Sequence, residues 1–205
     1  MHALRVSQRV TGRRVRHLRD KPKVLAMTLS PYRPRRLTLA NGREVTLRAI
    51  RASDDAAIAK AFERLSDDSR YARFMHHKKE LDVAALRRGV RPQPGSAFAF
   101  VATVPAADGF DIVGAAQYVP SSEGDTEACE FAISVLDDWH GTGLATELLA
   151  SLVRRARRDG YQAMLGSVMA GNDAMLRLAR HLKFSVEPVP DEEGVVRVRR
   201  ALRRR

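Results

Sequence analysis

Apolar positions change their period several times along the chain, and each change marks an element. Two short alternating runs, 36–40 and 44–50, flank Asn41-Gly42, a dipeptide that favours a hairpin turn. The period then lengthens. Ile58, Ala61, Phe62 and Leu65 recur at helical spacing behind Ser53, a residue suited to cap a helix, and Asp54 and Asp55 suit its first turn. Ser66 opens a second short helix through Tyr71 and Phe74, and 81–90 makes a third, stopped by Gly89, Pro92 and Pro94. Phe62, Leu65 and Phe74 are expected to pack in the core. Three strand-like runs follow, 98–104, 112–119 and 126–135, joined by turns at Asp108-Gly109 and 121–125. A meander with loops this short is antiparallel.

Leu144, Leu148, Leu149, Leu152, Val153 and Ala156 then line one face of a helix. Arg154, Arg155, Arg157 and Arg158 crowd its last turns, where cations suit the dipole, and Gly160 ends it. A strand at 162–169, a helix capped by Asn172 and a hairpin of 184–189 with 195–202 complete the series. The order is ββααα–βββ–α–β–α–ββ. It predicts an α+β fold, a mixed, mostly antiparallel twisted sheet flanked by helices. The strand–helix–strand unit at 128–169 is expected to be parallel and right-handed.

Charge changes the picture only at the ends. The 205 residues carry a net +12, but residues 1–36 hold 11 Lys/Arg against Asp20 alone, and 197–205 hold six Arg and no acid. The 160 residues between them have 19 basic and 23 acidic side chains, net −4. The body therefore offers no basic face for nucleic acid. Residues 1–35 are expected to form a basic arm with a short helix near 6–18, before a single domain at 36–205. The arm is expected to be a solvated tail; nucleic-acid contact through the basic termini is the alternative. No apolar run reaches membrane-spanning length, and the basic N-terminus lacks the apolar core of a secretory signal. The single cysteine, Cys129, excludes an internal disulfide framework and fits a reducing compartment, so a cytoplasmic location is expected.

The chemistry centres on His140-Gly141-Thr142-Gly143-Leu144-Ala145, between the strand ending at Val135 and the long apolar-faced helix. A glycine-rich strand-to-helix turn exposes backbone N–H groups at a helix N-terminus, a physical site for phosphate. This stretch resembles the Arg/Gln-x-x-Gly-x-Gly/Ala motif of the GNAT N-acetyltransferase superfamily, with His140 where that family prefers Arg or Gln. Gly171-Asn172-Asp173-Ala174-Met175 and Lys183-Phe184 are similar to the family's later signals. Ser69-Arg70-Tyr71-Ala72-Arg73-Phe74 and Glu130-Phe131-Ala132 resemble the acetyltransferase domain of bacterial protein-lysine acetyltransferases.

The resemblance implies a GNAT fold and acetyl-CoA as co-substrate. It places the pyrophosphate at His140, Gly141, Thr142, Gly143, Leu144 and Ala145. The pantetheine arm would run along the backbone of Ile133 and Val135, with Val135 N–H toward the thioester carbonyl and Asn172 toward the pantetheine. Strand alternation puts Glu130, Ala132 and Ser134 on one face, and Glu130 is the expected general base, with Glu127 as the fallback. No tyrosine lies between 162 and 205 to serve as the acid often found in this family. Cys129 is expected to be a buried inert thiol, and no metal site is expected at His76-His77, which point apart on a helix. The expected reaction is acetyl transfer to a primary amine, most simply a protein lysine. The alternatives are a small amine or protein N-terminus as acceptor, or a catalytically degenerate CoA-binding module with basic nucleic-acid-contacting arms.

Overall fold

The computed structural model describes residues 32–74, 97–121, 127–190 and 192–202. The expected helices at 6–18 and 81–90, the pair His76-His77 and most of the 121–125 turn lie outside the described residues. The strands are β1 (Arg35–Thr38), β2 (Glu44–Ala49), β3 (Phe98–Ala106), β4 (Gly109–Pro120), β5 (Ala128–Val135), β6 (Ala163–Met169), β7 (Ser185–Pro188) and β8 (Val195–Ala201). The helices are α1 (Asp55–Glu63), α2 (Asp67–Phe74), α3 (Leu144–Arg158) and α4 (Asp173–His181). The strands form one sheet in the order β1-β2-β3-β4-β5-β6-β8-β7. The meander is antiparallel as expected, and β5 and β6 are the parallel pair. The last strand returns to lie beside β6, which leaves β7 at the edge.

Helix α3 explains which sheet face is which. Its stripe of Leu144, Leu148, Leu149, Leu152 and Ala156 is fully buried, and each leucine contributes roughly 1.5–3 kcal/mol by leaving water. The helix approaches the sheet closely because Gly114 has no side chain. A Cβ there would stand 3.0 Å from a Leu148 methyl and 3.2 Å from one of Leu144. Gly114 pairs with Val135, Ala116 with Ile133 and Tyr118 with Phe131, so these six share the α3 face. Ala132 and Glu130, with their partners Gln117 and Val119, point to the opposite face.

One local expectation is corrected. Ser53 does not cap a helix. It sits inside a 3₁₀ turn, Ala52–Asp54, and Asp54 turns inward instead of lying in an exposed first turn. Its Oδ2 accepts 2.7 Å bonds from Arg48 Nη1 and from the Arg51 N–H, and its Oδ1 accepts from Arg48 Nη2 at 2.9 Å. Arg155, Arg157 and Arg158 lie in the last turn of α3 as expected. Arg155 is buried, donates to Asp159 at 2.8 and 3.0 Å, and stacks over Phe98 at 4.2 Å. The Tyr118 hydroxyl donates to the same Asp159, and burial with that partner holds the phenol well above its ordinary pKa. Gly160, at φ +93°, ends the helix as expected, and Tyr161 N–H returns to the Ala156 carbonyl.

Candidate active site

The parallel pairing of β5 with β6 is short. It covers Ala128, Cys129 and Glu130 against Ala163, Met164 and Leu165, and then the strands part. Leu136 N–H donates to Val113 O, and Ser121 N–H donates to Ala128 O. Even-numbered residues of β5 thus point their backbone groups at β4. Phe131, Ile133 and Val135 point theirs into the gap between β5 and β6. A strand edge opened this way offers N–H and C=O groups to an extended ligand, as an added strand would use them.

The gap belongs to a cleft of about 790 Å³. Its floor is β5 from Glu130 to Val135, one wall is Gly166, Ser167 and Val168 of β6, and the glycine turn closes one end. Gly166 lets the Phe131 ring lie against β6 inside it. A Cβ there would lie 2.5 Å from Cε1 of Phe131, whose ring stacks edge-on against Phe184 at 5.5 Å. Glycine inside a strand marks such a close approach. Gly166→Ala is expected to displace the Phe131 ring toward the cleft and weaken CoA binding by about tenfold, a loss of about 1.4 kcal/mol. Calorimetric titration with CoA measures it, and unchanged affinity would refute this account of the gap.

The turn is held from outside and below. After β5, Asp137–Trp139 form a 3₁₀ turn. Trp139 is buried, and the Arg43 guanidinium lies 3.3 Å from its ring centroid while Arg43 Nη1 donates to Asp138 O at 2.8 Å. The buried Thr142 hydroxyl donates to Trp139 O at 2.8 Å and accepts the Leu144 N–H at 3.3 Å. Thr142 therefore contributes its hydroxyl to the turn itself, and Leu144 is a core residue with its N–H engaged. Gly141 and Gly143 have φ of +72° and +89°, values that a side chain at either position would strain. The N–H groups of Gly141, Thr142, Gly143, Ala145 and Thr146 donate to no partner among the described residues. They sit at the positive end of a 15-residue helix.

His140 turns away from this nest. Its Nε2 lies 3.1 Å from the Val135 carbonyl. That bond requires the proton on Nε2 and covers the carbonyl of Val135, leaving its N–H facing the gap. Asn172 caps α4 as expected, accepting the Met175 N–H on Oδ1 at 3.0 Å, and it also lines the cleft. With Oδ1 so engaged, the amide nitrogen remains as a donor.

Glu130 lines the cleft on the face that looks toward α2, and accepts from the Ser121 hydroxyl at 3.0 Å. Among the described lining residues it is the one carboxylate. Glu127 does not line the cleft. Cys129 lies buried on the same strand, and burial pushes its thiol up to about 12, so it is an inert core group as expected. Sequence reasoning did not single out Ser69 and Arg73 of α2, Gln117 of β4 or Gly166 as cleft residues. Gly166, inside an apolar strand, carried a signal; the others became visible only once α2 lay against the sheet.

Residues 44–185 match the family model described as Acetyltransferase (GNAT) domain. The chain belongs to the GNAT acetyltransferase family. A Pseudomonas aeruginosa protein named as an acetyltransferase is 33% identical over 165 residues, covering 80% of this chain and 88% of that protein. The GNAT domain of S. lividans PAT has a TM-score of 0.75 at 21% identity, covering 82% of this chain and 96% of that one. The yncA structure from Salmonella typhimurium, which carries its cofactor acetyl-CoA, has a TM-score of 0.63 at 22% identity, covering 78% of this chain and 95% of that one. The α+β GNAT fold, acetyl-CoA as co-substrate and N-acetyltransferase activity follow for this chain. The residues present fit acetyl-CoA. The opened edge of β5 suits an extended amide-bearing arm, and the unpaired N–H groups of the GNAT turn suit a pyrophosphate. Among the described residues no helix is long and apolar enough to cross a membrane.

Proposed function

We propose that this enzyme acetylates the ε-amine of a protein lysine, with Glu130 as general base. The observation that carries the reading is the position of Glu130 beside an apolar wall of the cleft, to which Leu65, Ala72, Val119 and Ala132 contribute. A lysine side chain matches such a wall, an apolar four-carbon stem with an amine that must lose a proton before it can attack. Bound acetyl-CoA supplies an activated thioester. The N–H groups of Gly141, Thr142, Gly143 and Ala145 hold its pyrophosphate, His140 leaving this work to the backbone. Ile133 offers N–H and C=O to the pantetheine, the amide nitrogen of Asn172 donates to it, and Val135 N–H polarises the thioester carbonyl. Glu130 takes one proton from the ammonium, directly or through one water. The amine nitrogen then bonds to the acetyl carbon, and the C–S bond breaks. The second nitrogen proton leaves with the thiol or to solvent, since no tyrosine lines the cleft among the described residues.

A second acceptor class has its own support. Arg73 and Arg177 also line the cleft, and guanidinium groups suit a small amine that carries its own carboxylate. Thiol release from acetyl-CoA separates the two. Lysine-bearing proteins and peptides are expected to drive release, with the label recovered on lysine by mass spectrometry. Release with free amino acids alone would replace the first reading with the second.

A further inference from the structure

We infer that Asp137 is a positioning residue that couples the cofactor turn to the acceptor wall, so that coenzyme binding at the turn sets the place of α2. The inference rests on the reading of the glycine turn as the coenzyme site and goes beyond it.

Asp137 sits two residues after Val135 and three before His140. Its carboxylate reaches across to the start of α2, which is remote in sequence. Oδ1 accepts from the hydroxyls of Ser66 at 2.8 Å and Ser69 at 2.7 Å, and Oδ2 accepts from the Ser66 N–H at 3.0 Å. The Ser66 hydroxyl in turn accepts the Ser69 N–H at 3.2 Å, which makes Ser66 the N-cap of α2. One carboxylate thus binds the cap and the first turn of the helix. A negative charge at a helix N-terminus also meets the favourable end of its dipole.

Both ends of this link reach the cleft. On the α2 side, Ser69 lines it directly, and Ala72 and Arg73 follow at helical spacing on the same face. On the turn side, His140 Nδ1 lies 4.0 Å from Asp137 Oδ1 while its Nε2 holds the Val135 carbonyl. The Asp137 carboxylate therefore touches the elements that carry the acceptor wall, and neighbours the imidazole that fixes the end of β5. Burial opposes its ionisation, but the Ser66 N–H and the two hydroxyls outweigh burial and hold the carboxyl below its usual range. The acceptor of these three hydrogen bonds is the charged form, which makes them stronger than neutral ones. A coenzyme that orders the turn then orders α2 through the same atoms, so the second substrate meets a wall already in place.

Hydrogen exchange of the α2 amides, with and without saturating CoA, tests the coupling without any acceptor. In the wild type, CoA is expected to slow exchange across α2 by about fivefold or more. Asp137→Asn presents an amide to three donors. It is expected to bind CoA within about threefold of wild type while the CoA-induced slowing in α2 disappears. The readout is the ratio between liganded and free protein, which a general loss of stability does not erase. Should α2 of Asp137→Asn exchange at the unfolded rate even without CoA, Ser69→Ala decides, because it keeps both Ser66 bonds and is expected to show an intermediate ratio. Wild-type ratios in both variants, or CoA binding to the wild type with no response in α2, overturns the coupling. Failure of the wild type to bind CoA at all would instead overturn the reading of the turn.

Discussion

Glu130→Gln is expected to lower acceptor turnover by about 10²–10⁴-fold, the range that a positioned general base supplies. The glutamine keeps the shape of the side chain and can still accept from the Ser121 hydroxyl, so the strand and the cleft stay as they are. CoA affinity is expected to hold, because the proposed coenzyme contacts are backbone groups of Ile133, Val135 and the glycine turn together with the Asn172 amide. The loss is therefore confined to the chemical step. Steady-state kinetics with a lysine peptide, beside a calorimetric CoA titration, measure both. Full activity in Glu130→Gln would remove this carboxylate from the mechanism and turn attention to a water-mediated path.

The largest effect on stability is expected at the buried carboxylate of Asp54. Asp54→Ala leaves Arg48, itself buried, without its two-bond partner and is expected to cost about 3–5 kcal/mol. Replacing both members of the pair with apolar residues of similar volume is expected to cost much less, because no unpaired charge remains. The pair also sets an acid limit. Burial opposes ionisation of Asp54, but the Arg48 hydrogen bonds and the Arg51 N–H overcome it and leave the folded-state pKa lowered. A lowered folded value means that stability is fully present above the unfolded value of about 3.9 and is lost as pH falls through the folded one. Urea denaturation of wild type and Asp54→Ala across acid pH checks the sign. The two curves should converge as pH falls, and parallel curves would contradict it.

Much of the fold was legible because its pattern is local. The α3 stripe from Leu144 to Ala156, the hairpin at Asn41-Gly42 and the cap at Asn172 each show in a few neighbouring residues, and each is found where the pattern put it. The glycine turn was legible for the same reason. What escaped depended on how side chains meet once the elements pack. Asp54 looks like a first-turn acid until Arg48 is seen beside it, and the last-turn position of Arg155 does not show that Phe98 closes over it. Nothing near Asp137 in sequence points to Ser66 and Ser69, some 70 positions earlier. The departure at His140 was visible as a residue type. Its consequence, an imidazole turned onto the Val135 carbonyl, needed the geometry of the strand end.

The anchoring of the turn through Trp139 has a practical side. Trp139 is the chain's one tryptophan, and it lies buried one residue before His140, against the Arg43 guanidinium. Indole emission from this protein therefore comes from a single point, next to the groups proposed to meet the coenzyme. The enzyme carries its own optical probe of the turn, with no other indole to dilute the signal and no label to perturb it.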